Sequence, residues 1–302
     1  MNFLVHYRED FGKDGRPIET YARSFTKYLR LRHPVFAFGG GHAIETIEQL
    51  PLGLQSDFLI DLECSRDQSG RFHWLAEKFD GRCPSAAWFI DSHGHPDLHE
   101  AIARQYNHVF FAVWAKRDLF SNHSSAHWLP NATDTEWFQG YKYRAPEVYD
   151  FGFHSSKGGL DRGEILRRVC ERNNWTFDIR EVSRAYTHRW PACAQAMAAC
   201  RQLFNHGQKH DGPNQRVMES MAMRKVLFTD LDPRDGMSKL FEEGKHFLGY
   251  ASEDELEEKA RWALLNPKEA DEIAFTAFKE VCTKHQIIAR VESVLEVLNA
   301  KP

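Results

Sequence analysis

Long apolar runs are missing from this sequence: none approaches the ~20 residues that a membrane-spanning helix needs, so no such helix is expected. Paired cysteines are missing too. The six cysteines (Cys64, Cys83, Cys170, Cys193, Cys200 and Cys282) contain no CxxC pair. They sit among apolar or helical residues and read as reduced thiols of a cytoplasmic protein. Residues 1–10 pass from a short apolar stretch straight into charges, a pattern without a signal peptide. Low-complexity segments are lacking. Strong charge of either sign is lacking as well: 39 Lys and Arg stand against 43 Asp and Glu, a net charge of −4. No general attraction to polyanions follows from that balance, which leaves room for a local basic patch.

What is present is a globular composition. Hydrophobic residues make up 42% of 302 residues, enough for real cores and too much for disorder. The length suits two domains of about 150 residues. Sixteen His and 22 Phe are high counts. The count alone does not decide whether the histidines are ligands, bases or surface groups.

The pattern along the chain is strand, loop, helix, strand. Asn2 to Tyr7 predicts a strand, followed by a loop carrying Gly12 and Gly15, a helix from Ile18 to Leu31, and a second strand from His33 to Phe38. Strands follow at Phe58 to Leu62, Ala86 to Ile90 and Val109 to Val113, with helices at Arg71 to Phe79, Asp97 to Gln105 and Lys116 to Phe120. Near-continuous apolar strands such as AAWFI are those of a parallel sheet covered on both faces. His127-Trp128-Leu129-Pro130 closes the half, and the polar, aromatic stretch from Asn131 to Pro146 reads as the crossing between domains. The pattern then restarts: a strand at Tyr149 to His154, a helix at Leu160 to Asn173, a strand at Trp175 to Ile179, and a helix at Ala192 to Cys200. Helices at Glu253 to Leu265 and Pro267 to Leu298 end it. This order gives an α/β fold with an open parallel sheet in each half, whose ligands bind at the carboxyl edge. Gly12 and Gly15 lie on that edge in the first half, either as a plain turn or as an acceptor-side ligand loop.

The most informative stretch is LFNHGQKHDGPNQRVMESMAMRKVLFTD, Leu203 to Asp230. Leu203 and Phe204 meet a polar loop with Gly207, Gly212 and Pro213. A helix is expected from Pro213 to Arg224, with proline at its first position, followed by a buried strand at Val226 to Thr229. A glycine loop opening a helix presents backbone N–H groups and the positive end of the helix dipole, an anion site suited to phosphate. Glu219 lies about two turns in, on the side of Asn214 to Arg216, where its carboxylate can accept two ribose hydroxyls. Against this, Gly-Pro helix starts are common and a helical Glu is often merely solvated. After the strand of the second half, Ser155, Ser156 and Lys157 offer hydroxyls and an ammonium to a diphosphate, and Arg162 offers a fork for phosphate oxygens. A solvated basic turn is the other reading.

These residues resemble the donor-sugar motif of GT-B glycosyltransferases, in which two Glu are separated by seven residues; here Asp211 and Glu219 stand at those positions. The continuation LFEEGKHFLGYASEDELEEKARWALLNP is similar to the end of that family. Among its subgroups the chain most resembles the spore-maturation-protein-like glycosyltransferases of bacteria and phages, over about Val148 to Leu298. It departs at Asp211, which replaces Glu, and at Arg224 and Lys225, which replace the usual small residue or Gly.

The resemblance implies two Rossmann-like domains facing a cleft. An acceptor domain would span 1–138, a donor domain 146–280, and a C-terminal helix at 281–302 would brace them. It implies transfer of a sugar from a nucleoside diphosphate sugar, with that donor as co-substrate and no cofactor or metal. Ser155, Ser156, Lys157, Arg162, Asp211, Gly212, Asn214, Arg216, Val217 and Glu219 would form the donor site. The acceptor would be a hydroxyl or amine; for a phage-type enzyme it could be a modified DNA base, although the acidic balance argues weakly against long DNA contact.

Such a transfer needs a base or an acceptor-orienting group, and Asp91 and His93 at a strand end in the first half suit that work. Capping of the next helix and plain solvation are the alternatives for them. The same stretch, DSHGHPDLH, resembles the ligand signature of metallo-β-lactamase-type hydrolases, in which Asp91, His93, His95, Asp97 and His99 would hold zinc. The last histidine is one residue late for that signature, and the alternation of strands and helices is wrong for that mostly β fold. A nucleotide-sugar-binding protein without activity is a third reading, opened by Asp211.

Overall fold

The computed structural model describes residues 1–12, 14–51, 53–62, 83–90, 92, 96–143, 146–155, 160–182, 189–207 and 212–299. Its chain divides into two compact units, Met1–Pro130 with Ile287–Pro302, and Asn131–Gln286.

The first unit holds a parallel sheet in the order β2-β1-β3-β4-β5-β6. Its strands are β1 (Phe3–His6), β2 (Val35–Phe38), β3 (Phe58–Asp61), β4 (Ser85–Phe89), β5 (His108–Phe111) and β6 (Ala126–Trp128). Every residue of β4 is buried, as its apolar run required. Helix α1 (Tyr21–Arg30) starts where the Thr20 side chain accepts the Arg23 N–H and buries Ala22, Phe25 and Leu29 on one stripe. Helix α2 (Pro96–Ala103) packs Ile102 and Ala103 with Phe89, Val109, Phe111 and Phe120.

The second unit holds a parallel sheet in the order β11-β10-β9-β7-β8. Its strands are β7 (Tyr149–Ser155), β8 (Phe177–Glu181), β9 (Cys200–Asn205), β10 (Val226–Asp230) and β11 (Leu248–Tyr250). Helices α3 (Glu164–Asn173), α4 (Arg189–Ala198), α5 (Gln215–Ala222), α6 (Met237–Leu240), α7 (Glu253–Leu265) and α8 (Pro267–Lys284) connect or follow them. Phe151, Phe153, Phe204, Phe228 and Tyr250 share one core cluster with Leu166, Val169, Leu256 and Ala260. Each fully buried Phe contributes about 1.5–3 kcal/mol of transfer free energy, so this aromatic layer is a large part of what holds sheet to helices.

Several elements differ from the sequence pattern. The expected single helix Pro267 to Leu298 is two, α8 and α9 (Ile287–Asn299). Thr133 N donates to His285 O at 3.0 Å, and Thr135 Oγ1 to Gln286 Oε1 at 2.8 Å, so residues 285–286 pair with the segment 133–135. Helix α9 belongs to the first unit, where Arg32 pairs with Glu292 at 2.7 Å and the Arg290 Nε donates to Pro130 O at 2.7 Å. The segment from Asn131 to Phe138 lies in the second unit: Asn131 donates to Pro213 O, and the Phe138 ring packs 5.9 Å from that of Trp190. His127 and Trp128, read as a closing segment, sit in strand β6. Cys200 opens β9 rather than ending a helix. The stretch from Leu160 begins as a 3₁₀ turn, and α3 starts only at Glu164. Pro213 does not occupy the first helical position: Asn214 intervenes as N-cap, its side chain accepting the Val217 N–H at 3.3 Å. The helix expected at Arg71 to Phe79 lies outside the described residues.

Arg224, which stands where the resembled family has a small residue or Gly, closes the turn after α5 with φ 55°. A side chain in this left-handed region costs about 1–2 kcal/mol. Its guanidinium meets Asp271 at 2.8 Å and lies 5.1 Å over the Phe275 ring, both exposed contacts and thus worth little. Arg224→Gly is expected to raise the melting temperature of the protein by about 1–3 °C, measured by calorimetry; a fall would show that the Asp271 and Phe275 contacts outweigh the backbone strain.

Candidate functional site

In an open parallel sheet the strand order reverses at one point, and a crevice opens there between the loops at the carboxyl ends. In the second unit that point lies between β7 and β9. Arg216, in the first turn of α5, spans it. Its Nε donates to His154 O at the end of β7 (2.7 Å) and its Nη1 to Asn205 Oδ1 at the end of β9 (3.0 Å). The guanidinium lies 4.6 Å over the Phe153 ring. Asn205 Oδ1 also accepts from Asn214 Nδ2 at 3.1 Å, while Asn205 Nδ2 donates to Thr229 Oγ1 at 2.9 Å. One asparagine therefore ties β9, β10 and the start of α5.

Of the residues picked from sequence on the donor side, Ser155, Arg162, Gly212, Asn214, Arg216, Val217 and Glu219 are described: Ser155 ends β7, Arg162 lies in the 3₁₀ turn that follows it, and the others lie in the loop after β9 or in α5. Arg162 Nη2 donates to Ser155 Oγ at 3.3 Å. Glu219 is 8% exposed and accepts from Gln215 Nε2 at 2.5 Å; it lies one turn into α5 rather than two. Val217 is a core residue whose N–H is taken by the cap. Gly212 is fixed by packing, since a Cβ there would come within 2.7 Å of Asp235 Oδ2. Sequence reasoning passed over Asp235, whose Oδ1 accepts the Met237 N–H at 2.7 Å; an Asp before a glycine is too common a turn signal to single out. Ser156, Lys157 and Asp211 lie outside the described residues.

A buried polar group braces the same edge. His154 Nε2 lies 2.9 Å from Asp178 Oδ2, and Arg180 binds Asp178 through Nε (2.7 Å) and Nη2 (2.6 Å). Burial lowers the His154 pKa from its ordinary value and outweighs the pull of Asp178. Burial alone would raise Asp178, but hydrogen bonds from His154 and Arg180 and their charges bring it below the usual range. Cys200 Sγ completes a set of three ligating atoms within 4.8 Å of one another. Burial pushes that thiol up to about 12, and Arg180 occupies both carboxylate oxygens, so the group reads as a hydrogen-bonded core cluster rather than a cation site.

In the first unit the Gly12–Gly15 loop is closed on itself: Gly12 N donates to Arg16 O (2.8 Å) and Gly15 N to Gly12 O (2.9 Å), with Gly15 at φ 75°. At the reversal between β1 and β3, His6 Nδ1 lies 2.9 Å from Asp61 Oδ1, and Tyr106 OH donates to Asp61. Glu9 accepts from Arg23 (2.5 Å) and Tyr7 (3.0 Å). Sequence reasoning missed these contacts, because Arg23, Asp61 and Tyr106 lie far in sequence from His6, Tyr7 and Glu9. Asp91, His93 and His95 lie outside the described residues. Asp97 is in the first turn of α2, and His99 is a core residue, with Nδ1 3.3 Å from Ser92 Oγ and its ring 4.9 Å from Phe89.

Residues 153–296 match the family model described as glycosyl transferase-like. No curated protein matches the chain by sequence. Among solved structures, Alr3699/HepE of Anabaena in complex with UDP-glucose matches at 13% identity with a TM-score of 0.64, covering 100% of both chains. The fold is GT-B. A sucrose-phosphate synthase from Thermosynechococcus elongatus matches with a TM-score of 0.64 at 10% identity, covering 98% of each chain. A glycosyltransferase from Rickettsia africae matches at 0.60 and 11%, covering 99% of each. Identities this low speak to fold.

Burial lowers the pKa of His42, His108, His127 and His246 as well as His154 from the ordinary 6.5. A histidine with a lowered folded pKa takes up its proton more readily when unfolded, so stability is lost as pH falls below 6.5. The melting temperature is expected to be flat from pH 8 to 7 and to fall steadily from pH 6.5 to 5. A profile flat to pH 5 would show that these rings protonate without unfolding cost.

Proposed function

We propose that this chain is a glycosyltransferase that moves a hexosyl or pentosyl group from a nucleoside diphosphate sugar to an acceptor hydroxyl or amine. The observation that carries this reading is the coincidence of the glycosyl transferase-like match with the unit whose carboxyl edge gathers Arg216, Arg162, Ser155, Asn214 and Glu219. The HepE complexes with UDP-glucose and with UDP and glucose support a nucleotide-sugar ligand for this fold. The second unit takes the donor and the first the acceptor. The spore-maturation-protein-like subgroup is part of the proposal, and with it a modified DNA base among the acceptors. Free thiols fit a cytoplasmic setting.

In the reaction the bond from the anomeric carbon to the diphosphate oxygen breaks and a bond to the acceptor oxygen or nitrogen forms. The acceptor proton passes to a base, and negative charge grows on the departing diphosphate. Arg216, Arg162, Lys157 and the N-terminal end of α5 would meet that charge, a role in which fixed donors serve in place of a metal. Ser156 would join them at the diphosphate, and Asp211 would contact the sugar. Asp91 or His93 would take the acceptor proton. Asp91→Asn is expected to cut turnover at least a hundredfold with nucleotide affinity near normal; unchanged turnover removes it from the site.

Glu219 would hold the ribose, its carboxylate accepting from both hydroxyls. Each hydrogen bond to a charged acceptor is worth about 1.5–3 kcal/mol. In a thermal-shift screen a sugar nucleotide that binds the folded state raises the melting temperature. Glu219→Ala should weaken that ligand roughly ten- to a hundredfold by titration calorimetry, and Glu219→Gln less. A 2′,3′-dideoxy nucleotide should bind the wild type poorly and lose little more in the variant. Equal affinities in wild type and Glu219→Ala would make Glu219 a packing residue and take the donor site with it.

A further inference from the structure

On the donor-site reading above, we infer that His154 is a positioning residue: its side chain fixes the carboxyl end of β7, and with it the anchor that aims Arg216. The tie is directional. The imidazole is fully buried and reaches Asp178 on the neighbouring strand at 2.9 Å, where Arg180 holds both carboxylate oxygens at 2.7 and 2.6 Å. Strands β7 and β8 are in register here, Gly152 beside Asp178 and His154 beside Arg180. The cluster thus locks the last turns of the β7 backbone against β8, and Arg216 Nε hangs from the carbonyl of His154 itself at 2.7 Å.

Packing does not explain a histidine at this place. Its Nδ1 is buried and has no hydrogen-bond partner among the described residues, whereas an apolar side chain of similar size would fill the space without that cost. Space for the ring exists because residue 152 has no side chain: a Cβ there would stand 3.0 Å from the His154 Cε1 and 2.4 Å from Cys200 Sγ. Two departures from simple core packing, an orphaned nitrogen and a bare strand position, therefore serve one hydrogen bond at the edge where Arg216 attaches. The charged groups around the ring are Asp178 and Arg180 on β8 and Arg216 on α5, with the protonated Cys200 on β9.

A double-mutant cycle tests this. UDP and GDP affinities are measured by titration calorimetry for wild type, His154→Leu, Arg216→Ala and the pair, and uridine and guanosine binding by ligand-observed NMR. His154→Leu is expected to weaken the nucleoside diphosphate that binds by about tenfold when Arg216 is present and by less than about twofold when it is Ala. Nucleoside binding, which makes no phosphate contact, should not change. His154→Gln, whose amide can donate to Asp178, should stay within about twofold of wild type. If His154→Leu does not fold, Asp178→Asn enters the same cycle and should cost about threefold, again only with Arg216 present. Losses that persist undiminished in the Arg216→Ala background, or that fall equally on the nucleosides, overturn the inference and leave the donor site standing. A wild-type protein that binds neither diphosphate removes the donor site, and the inference with it.

Discussion

The hydrogen bond from Arg216 to the carbonyl of His154, with its companion to Asn205, is the constraint on which the second unit's carboxyl edge depends. A helix start, two strand ends and a buried ion-paired cluster are joined through one guanidinium. Parallel sheets make this possible. Every strand ends on the same edge, so residues that are far apart in sequence, such as Ser155 and Asn205, arrive together without any special contact to bring them. The local groups then add precision: the Asn214 cap sets where α5 begins, and Asn205 fixes that cap to β9 and β10.

The architecture was largely legible because strand-loop-helix periodicity survives in sequence even where identity to known structures has fallen to 10–13%. What the pattern could not convey is where backbone pairing overrides propensity. Residues 285–286 have ordinary helical neighbours and leave the helix because the segment 133–135 claims their backbone and side chains. Pro213 has the residue preference of a helix start, yet Asn214 supplies a side-chain oxygen and wins the cap.

For the candidate site the legible part was what lies within one loop and helix. Asn214, Arg216 and Glu219 are close in sequence, and helical spacing fixes their relation. The supporting groups were not legible. Asp178 falls within the expected strand Trp175 to Ile179 and Arg180 just after it, and only the register of β8 with β7 puts them beside His154. His6, Asp61 and Tyr106 likewise meet from two strands and a turn. Buried polar networks are assembled by topology, and a linear pattern carries no trace of them.

The first unit is not contiguous in the chain. Helix α9 packs with α1 and with Pro130 but follows the whole of Asn131–Gln286 in sequence. During vectorial synthesis the strands of the second unit therefore all emerge while the first still lacks a wall. The surface of α1 that α9 covers stays open to solvent for as long as the ribosome needs to make the intervening residues and clear the last helix, roughly ten seconds or more at usual elongation rates. Chain order thus gives the two halves opposite histories: the half made first is the half finished last.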